Sequence, residues 1–203
     1  MNELTLHTQF RKGPLCFEEF IDLVPDGRKA DLLDGVMYLA SPEYPDANLL
    51  LGWLCILVAG FVEKKALGYV SLSGLAYRLD SQNAPEPDIG FVPKELGHTC
   101  KRDYIDGPPS LVVEIASPDN VARDYVLKRS IYQKAGVREY WIIDPDERRA
   151  TFLSLREGRY EEVPPVNHVF SSLARPGFRL DVRWLWEPRP PAYDALEQLL
   201  RPS

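Results

Sequence analysis

Two acidic residues and one lysine stand where their side chains could act together on a phosphodiester. Asp88 opens an apolar stretch directly after Pro87, and Glu114 interrupts a run of Leu, Val and Ile. A carboxylate buried in such a strand is costly unless it is paired or bound to a cation. Lys128 lies on the helix predicted to follow this strand. The three residues predict one acidic site that binds a metal ion.

The chemistry that suits these residues is metal-assisted hydrolysis. Carboxylates on adjacent strands supply oxygen ligands to Mg²⁺, which keeps several waters and accepts one or two carboxylates plus phosphate oxygens. Mn²⁺ is expected to substitute. Lys128 would position or help deprotonate the attacking water, or stabilise charge on the pentavalent phosphate. We predict Asp88, Glu114 and Lys128 as catalytic residues, with the two acids as metal ligands.

Each of these residues also has an ordinary structural interpretation. Asp88 could be a turn residue, and Glu114 could face outward from a half-exposed strand. Asp124, Lys128 and Tyr132 recur every four residues and could form a solvated stripe with a helical salt bridge. The site is favoured because this helix directly follows the strand of Glu114, so its inward face can return Lys128 to the same sheet end. Asp124 and Tyr132 are then auxiliary candidates.

A further acid lies in a predicted hairpin near the start of the chain. Asp34-Gly35 is a strong hairpin signal, so residues 29–39 predict two short strands. Asp34 is expected to form the turn. Asp31 lies on the first strand and could face the site as an auxiliary carboxylate.

The helices that must position these side chains follow from apolar spacing. One is predicted from Phe17 to Val24, and a longer one from Asp46, as its N-cap, to about Lys65, with Gly68 just past its end. Two more are predicted over 120–135, ended by Gly136, and over 192–200. The region 93–109 shows no clear period and could hold a short helix.

Short apolar segments predict a set of strands. They cover 69–72, 75–79, 88–92, 110–116, 137–143, 150–155, 159–163 and 178–181. The order strand, helix, strand around residues 110–143 favours a crossover in a mixed sheet. The fold class is therefore mixed α/β, a central sheet flanked by helices in one domain over 1–183, followed by a proline-rich tail over 184–203.

Composition limits the classes of function. The chain has 203 residues and a formal net charge of −6, which argues against sequence-independent binding of nucleic acid through a broadly basic surface. No apolar run is expected to reach the roughly 20 residues of a membrane span, and no apolar N-terminal stretch resembles a signal peptide. The three cysteines form no Cys-x-x-Cys pair. These features predict a cytoplasmic protein with no membrane partner.

Several of these segments together resemble the Uma-two family of restriction endonucleases. The matching pieces are 31–35, 87–89, 113–118, Asp124 with Lys128 and Tyr132, and 135–145, of which the stretch from Gly136 to Pro145 is the most specific. The resemblance runs from about residue 17 to residue 180. It implies a restriction-endonuclease-like core of the PD-(D/E)XK type that uses Mg²⁺ to cut DNA.

The resemblance also assigns roles to individual positions. Asp88 matches the motif aspartate and Glu114 the second acid. Ala116 stands where the motif lysine is expected, and Lys128 could reach that place from the neighbouring helix. Asp31 occupies a position where the family usually has glutamate.

Two functions from different classes follow. The first is an Mg²⁺-dependent endodeoxyribonuclease, expected to be a homodimer because two symmetry-related sites most simply cut both strands of a duplex. The alternative is a non-catalytic interaction or regulatory module that keeps the nuclease fold. The acidic net charge and the missing motif lysine favour the alternative, whereas the clustering of Asp88, Glu114 and Lys128 favours the enzyme.

Overall fold

The computed structural model of the protein describes residues 14–24, 28–40, 44–118 and 121–201. The predicted start of the third helix at Asn120 lies outside these ranges. Four α-helices are present in the described residues: α1 (Phe17–Leu23), α2 (Pro45–Lys64), α3 (Arg129–Ala135) and α4 (Ala192–Leu200). A π-helical segment, Arg123–Lys128, leads directly into α3. Two 3₁₀ helices cover Lys94–Thr99 and Val182–Trp186.

Twelve strands are present in the same described ranges. They are β1 (Ala30–Leu33), β2 (Val36–Leu39), β3 (Gly68–Leu72), β4 (Ala76–Arg78), β5 (Ile89–Pro93), β6 (Tyr104–Asp106), β7 (Leu111–Ile115), β8 (Glu139–Asp144), β9 (Arg149–Arg156), β10 (Arg159–Glu162), β11 (Val169–Ser171) and β12 (Arg179–Asp181). The predictions did not include β6 and β11. Both have three residues, as do β4 and β12, which the predictions placed within slightly longer segments.

The central sheet has six strands in the order β10-β9-β8-β7-β5-β3. Within this sheet only β7 and β8 are parallel neighbours. The π-helical segment and α3 connect them. The predicted crossover in a mixed sheet is therefore confirmed. β8 is buried along its whole length, as expected for a strand covered on both faces.

Helices cover both faces of this sheet. On one face α2 and α4 pack against β5, β7 and β8 through a core that includes Phe61, Trp141 and Ala195. On the other face Tyr132 of α3 packs against Tyr140 and the neighbouring apolar residues. Trp141 and Tyr140 are adjacent in β8 and enter opposite cores, because successive side chains of a strand point to opposite faces.

The β1–β2 hairpin forms as predicted. Asp34 and Gly35 have φ values of 48° and 75°, which is the backbone that a two-residue type I′ turn requires. A Cβ atom on Gly35 would lie 2.1 Å from Cβ of Pro14. Leu32 also bridges to Ala84, so the hairpin is joined to the segment that leads into β5.

The long helix α2 differs in two respects from its prediction. Its N-cap is Tyr44 rather than Asp46, and Ala66 rather than Gly68 adopts the left-handed backbone after its end, with φ at 50°. By length and composition α2 is also apolar enough to cross a membrane, contrary to the sequence-based expectation. Its residues from Leu50 to Val62 include seven buried side chains that pack on the sheet and α4. Core packing accounts for these seven side chains, whereas Leu49 and Ile56 of the same helix are exposed.

Candidate active site

The candidate site lies where two inner strands of the central sheet, β5 and β7, stop pairing. Ile89 of β5 pairs with Val113 of β7 in antiparallel register, so the next residues, Asp88 and Glu114, stand beside each other where this pairing ends. Asp88 is 8% exposed and Glu114 3%. The two predicted metal ligands are therefore neighbours, and both are withdrawn from bulk water.

Asp88 is held by three donors from three different segments. Oδ1 accepts hydrogen bonds from Nζ of Lys29 at 2.5 Å and from Oγ of Ser73 at 3.2 Å, and Oδ2 accepts one from the backbone N–H of Ile115 at 2.7 Å. Burial raises the pKa of Asp88, but the Lys29 ammonium and the Ile115 N–H outweigh it and leave the pKa below its ordinary value. The carboxylate is therefore ionised at neutral pH.

Lys128 lies at the centre of a buried cluster of acids. Its Nζ is 2.9 Å from Oε1 of Glu114, 3.0 Å from Oδ2 of Asp31 and 3.9 Å from Oδ1 of Asp124. The phenol of Tyr132 donates a second hydrogen bond to Oε1 of Glu114 at 2.9 Å. The structure thus brings the predicted auxiliary residues into contact with the lysine or with the acid it binds.

Burial and charge act in opposite directions on these groups. Burial lowers the pKa of Lys128, but Asp31, Glu114 and Asp124 raise it well above its ordinary value, so the ammonium stays charged. Burial raises the pKa of Glu114 despite Lys128, and raises that of Asp124 to about 8. Burial also places the pKa of Tyr132 well above its ordinary value. Tyr132 therefore remains a hydrogen-bond donor.

The helical face that carries Asp124, Lys128 and Tyr132 is buried in the protein. Asp124, Lys128 and Tyr132 are 3%, 4% and 0% exposed, so the alternative of a solvated stripe is wrong. Residues Arg123–Lys128 form the π-helical segment, a wider turn that often accompanies functional sites. Ala116, where the resemblance expected a lysine, is itself buried against the α3 side of the sheet. The cation at this end of β7 comes from the helix.

Asp31 is tied to the segment before β5 through Glu86. The backbone N–H of Glu86 donates to Oδ1 of Asp31 at 2.8 Å, and its own Oε2 accepts from the backbone N–H of Ala30 at 3.3 Å. Burial raises the pKa of Glu86 to about 7, and Asp31 adds to this effect. These bonds fix the hairpin beside the strand that Asp88 begins.

We expect Glu86→Gln to flatten the dependence of stability on pH. The folded protein keeps a proton on Glu86 up to about pH 7, whereas an unfolded chain releases it near pH 4.5, so stability is lost as the pH rises through this interval. Between about pH 5 and pH 8 the wild type should lose about 2 kcal/mol more unfolding free energy than the variant. Urea unfolding at both pH values measures the difference. Equal losses in the two proteins would contradict the prediction.

Two contacts within the candidate site were absent from the sequence-based prediction. Lys29 binds Asp88 directly, and Ser73 supports the same oxygen. A signal for Lys29 was present, because residues 29 and 31 lie two apart on an extended segment and so share a face. Ser73 had no such signal. It follows β3, which pairs with β5, and only that pairing brings it to Asp88.

The residues present fit a magnesium site of the two-carboxylate kind. Within the described ranges, no three His, Cys, Asp or Glu side chains are arranged to hold a metal ion. Mg²⁺ does not need such a cage, since it commonly binds one or two carboxylates and fills its other positions with water and phosphate. Asp88 and Glu114 could provide those two carboxylates. Their present counterions are the ammonium groups of Lys29 and Lys128, of which Lys29 is the more exposed and is the charge that a bound cation would replace.

Comparisons with known proteins address the fold and the family. The model of a family named Uma2 and described as "Putative restriction endonuclease" matches residues 17–183. A crystal structure from Anabaena variabilis, titled as a putative nuclease belonging to DUF820, superposes with a TM-score of 0.69 at 17% identity. The match covers 92% of this chain and 100% of that one. No curated protein matches the chain significantly.

Proposed function

The chain belongs to the Uma2 family of nuclease-fold proteins, and from that premise we propose that it is an endonuclease that hydrolyses DNA with Mg²⁺ held by Asp88 and Glu114. One observation carries the proposal. Two buried carboxylates stand side by side at the end of the β5–β7 pairing, each neutralised by a lysine ammonium. Acidic side chains are seldom fully buried unless they are paired, and two adjacent carboxylates with phosphate oxygens suit Mg²⁺.

The residues of the site divide the work of holding a metal and a phosphate. A bound Mg²⁺ would act as a Lewis acid and lower the pKa of a bound water. Asp88 is ionised, and the Ile115 N–H holds its carboxylate in place, so a cation would meet a charged and oriented ligand once Lys29 gives way. Lys128 and Tyr132 hold Glu114. Because Lys128 stays charged, its role is electrostatic, rather than the proton transfer that was one of the initial alternatives.

Two arginine–tyrosine stacks support DNA as the substrate. The Arg123 guanidinium lies 4.5 Å from the ring centre of Tyr38, and that of Arg149 lies 4.4 Å from the ring centre of Tyr125. Arg123 and Tyr125 belong to the π-helical segment that carries Lys128. Arg149 is the first residue of β9 and pairs with Asp144, the last residue of β8. Such guanidinium groups can contact phosphates locally in a chain of net negative charge. The homodimer and the cytoplasmic location are part of the same proposal.

One observation favours the non-catalytic alternative. Every acid of the cluster around Lys128 already has a partner inside the protein, so the fold does not require a metal to neutralise them. An interaction module of this kind predicts no rise in melting temperature with Mg²⁺ or Mn²⁺. A metal that binds only the folded state must raise it.

Incubation of the purified protein with supercoiled plasmid tests the proposed activity. We expect nicked or linear product with Mg²⁺ or Mn²⁺ and none with EDTA, because both the substrate phosphate and the water need the cation. The products are measured on agarose gels over time and across metal concentrations. Intact plasmid at every metal concentration, together with an unchanged melting temperature, would contradict the nuclease and support the interaction module.

A further inference from the structure

The two lysines of the site are held in different ways. The Lys128 side chain is 4% exposed, and its ammonium contacts the carboxylates of Asp31 and Glu114 at 3.0 and 2.9 Å. Removing it from either acid would leave a buried charge without a partner, which costs several kcal/mol. Lys128 is therefore a fixed part of the site and cannot move onto a substrate.

Lys29 is held more loosely and is nearer to solvent. Its ammonium contacts one carboxylate, that of Asp88, and lies 3.5 Å from Oγ of Ser73. Its side chain is 21% exposed, so one side of the group is open. An ammonium has three donors, and among the described residues the contacts with Asp88 and Ser73 leave one for another acceptor. Of the two lysines, Lys29 is the one that can reach a phosphate.

A divalent cation and Lys29 would compete for the same carboxylate. Oδ2 of Asp88 accepts from Ile115, while Oδ1 accepts from Lys29 and from Ser73. A cation that binds Oδ1 of Asp88 takes the place of the Lys29 ammonium. A cation that binds Oδ2 puts two positive charges, its own and that of Lys29, on the same carboxylate. In both cases repulsion favours departure of the lysine, because its flexible stem allows it to move.

We propose that Lys29 is the substrate-facing cation of the site. Without metal it neutralises Asp88, and when a divalent cation binds it swings from Asp88 to a non-bridging oxygen of the scissile phosphate. An ammonium group has three donors and no acceptor, so Lys29 would contribute a charge-assisted hydrogen bond to the phosphate. This inference rests on the proposed nuclease function and assigns that function a phosphate contact.

Two substitutions at this position test the inference with the metal alone and with plasmid. In titrations with Mn²⁺ followed by melting temperature, Lys29→Met is expected to bind the ion severalfold more tightly than the wild type, because the competing ammonium is absent. The same variant should cleave plasmid about 100-fold more slowly, the usual cost of losing one donor to a developing negative charge. Lys29→Arg should recover part of the cleavage, since it can still donate to a phosphate.

Lys94→Met serves as the matched control. Lys94 is exposed and follows Pro93 at the opposite end of β5 from Asp88, so both Mn²⁺ affinity and cleavage should equal those of the wild type. Weaker or unchanged Mn²⁺ binding by Lys29→Met, or cleavage at the wild-type rate, would overturn the inference alone. An inactive wild type would instead overturn the proposed function on which the inference rests.

Discussion

Replacing Lys128 by methionine is expected to lower the free energy of unfolding by about 3–5 kcal/mol. Methionine has a similar length but no charge, so the buried acids Asp31 and Glu114 would lose their common partner. Asp31 lies in the β1–β2 hairpin, and Glu114 lies in β7 of the central sheet. Their mutual repulsion would therefore act between parts of the fold as well as within the site. Urea unfolding followed by circular dichroism measures the loss.

Lys134→Met provides the control for this prediction. Lys134 lies on α3, the continuation of the same helix, but is exposed, so its replacement should change stability by less than about 0.5 kcal/mol. A double variant, Lys128→Met with Asp31→Asn, should regain part of the lost stability, because one of the unpaired charges is removed. An unfolding midpoint of Lys128→Met close to that of the wild type would contradict the central place of the ammonium.

Replacing Asp88 by asparagine is expected to reduce plasmid cleavage by more than about 100-fold, while the protein remains folded. Groups that merely support a metal ligand contribute 10- to 100-fold, and a direct ligand should contribute more. The fold is expected to survive because the asparagine carbonyl can still accept the hydrogen bond that Ile115 donates to Asp88. The same variant should lose the rise in melting temperature that Mn²⁺ gives to the wild type.

Asp103→Asn is the matched control for Asp88→Asn. Asp103 is exposed, and among the described residues its only nearby cation is Arg102, at 3.8 Å. Replacing Asp103 should therefore alter neither cleavage nor the response to Mn²⁺. Cleavage by Asp88→Asn at the wild-type rate would remove this carboxylate from the mechanism. A preserved Mn²⁺ response would show that the ion binds elsewhere.

Local pattern was sufficient to predict most of the elements. The alternation around Asp34-Gly35 predicted the β1–β2 hairpin, and apolar spacing predicted α1, α2 and α4. Gly136 ends α3 with a φ of 84°, as its type and position indicated. These features depend on neighbours within a few residues of one another, which is why periodicity and turn chemistry can show them. The three-residue strands β6 and β11 lacked such a pattern.

The sequence by itself also determined which residues were predicted to form the candidate site. Two apolar stretches each contain one carboxylate, and a predicted helix carries a lysine. This pattern predicted that Asp88, Glu114 and Lys128 lie together, and the structure places them where the pairing of β5 and β7 ends. The burial cost of an unpaired charge made this inference possible from residue types alone.

Only the tertiary structure decided which lysine forms an ion pair with which acid. Sequence reasoning assigned Lys128 to the place left by Ala116 and gave Asp31 as an auxiliary acid, but it did not predict that Asp31 would share the Lys128 ammonium or that Lys29 would bind Asp88. These partners come from the hairpin, which is far from β5 and the helix along the chain. Their contacts depend on how the hairpin docks beside the sheet, and that docking is set by packing across the whole fold rather than by any local pattern.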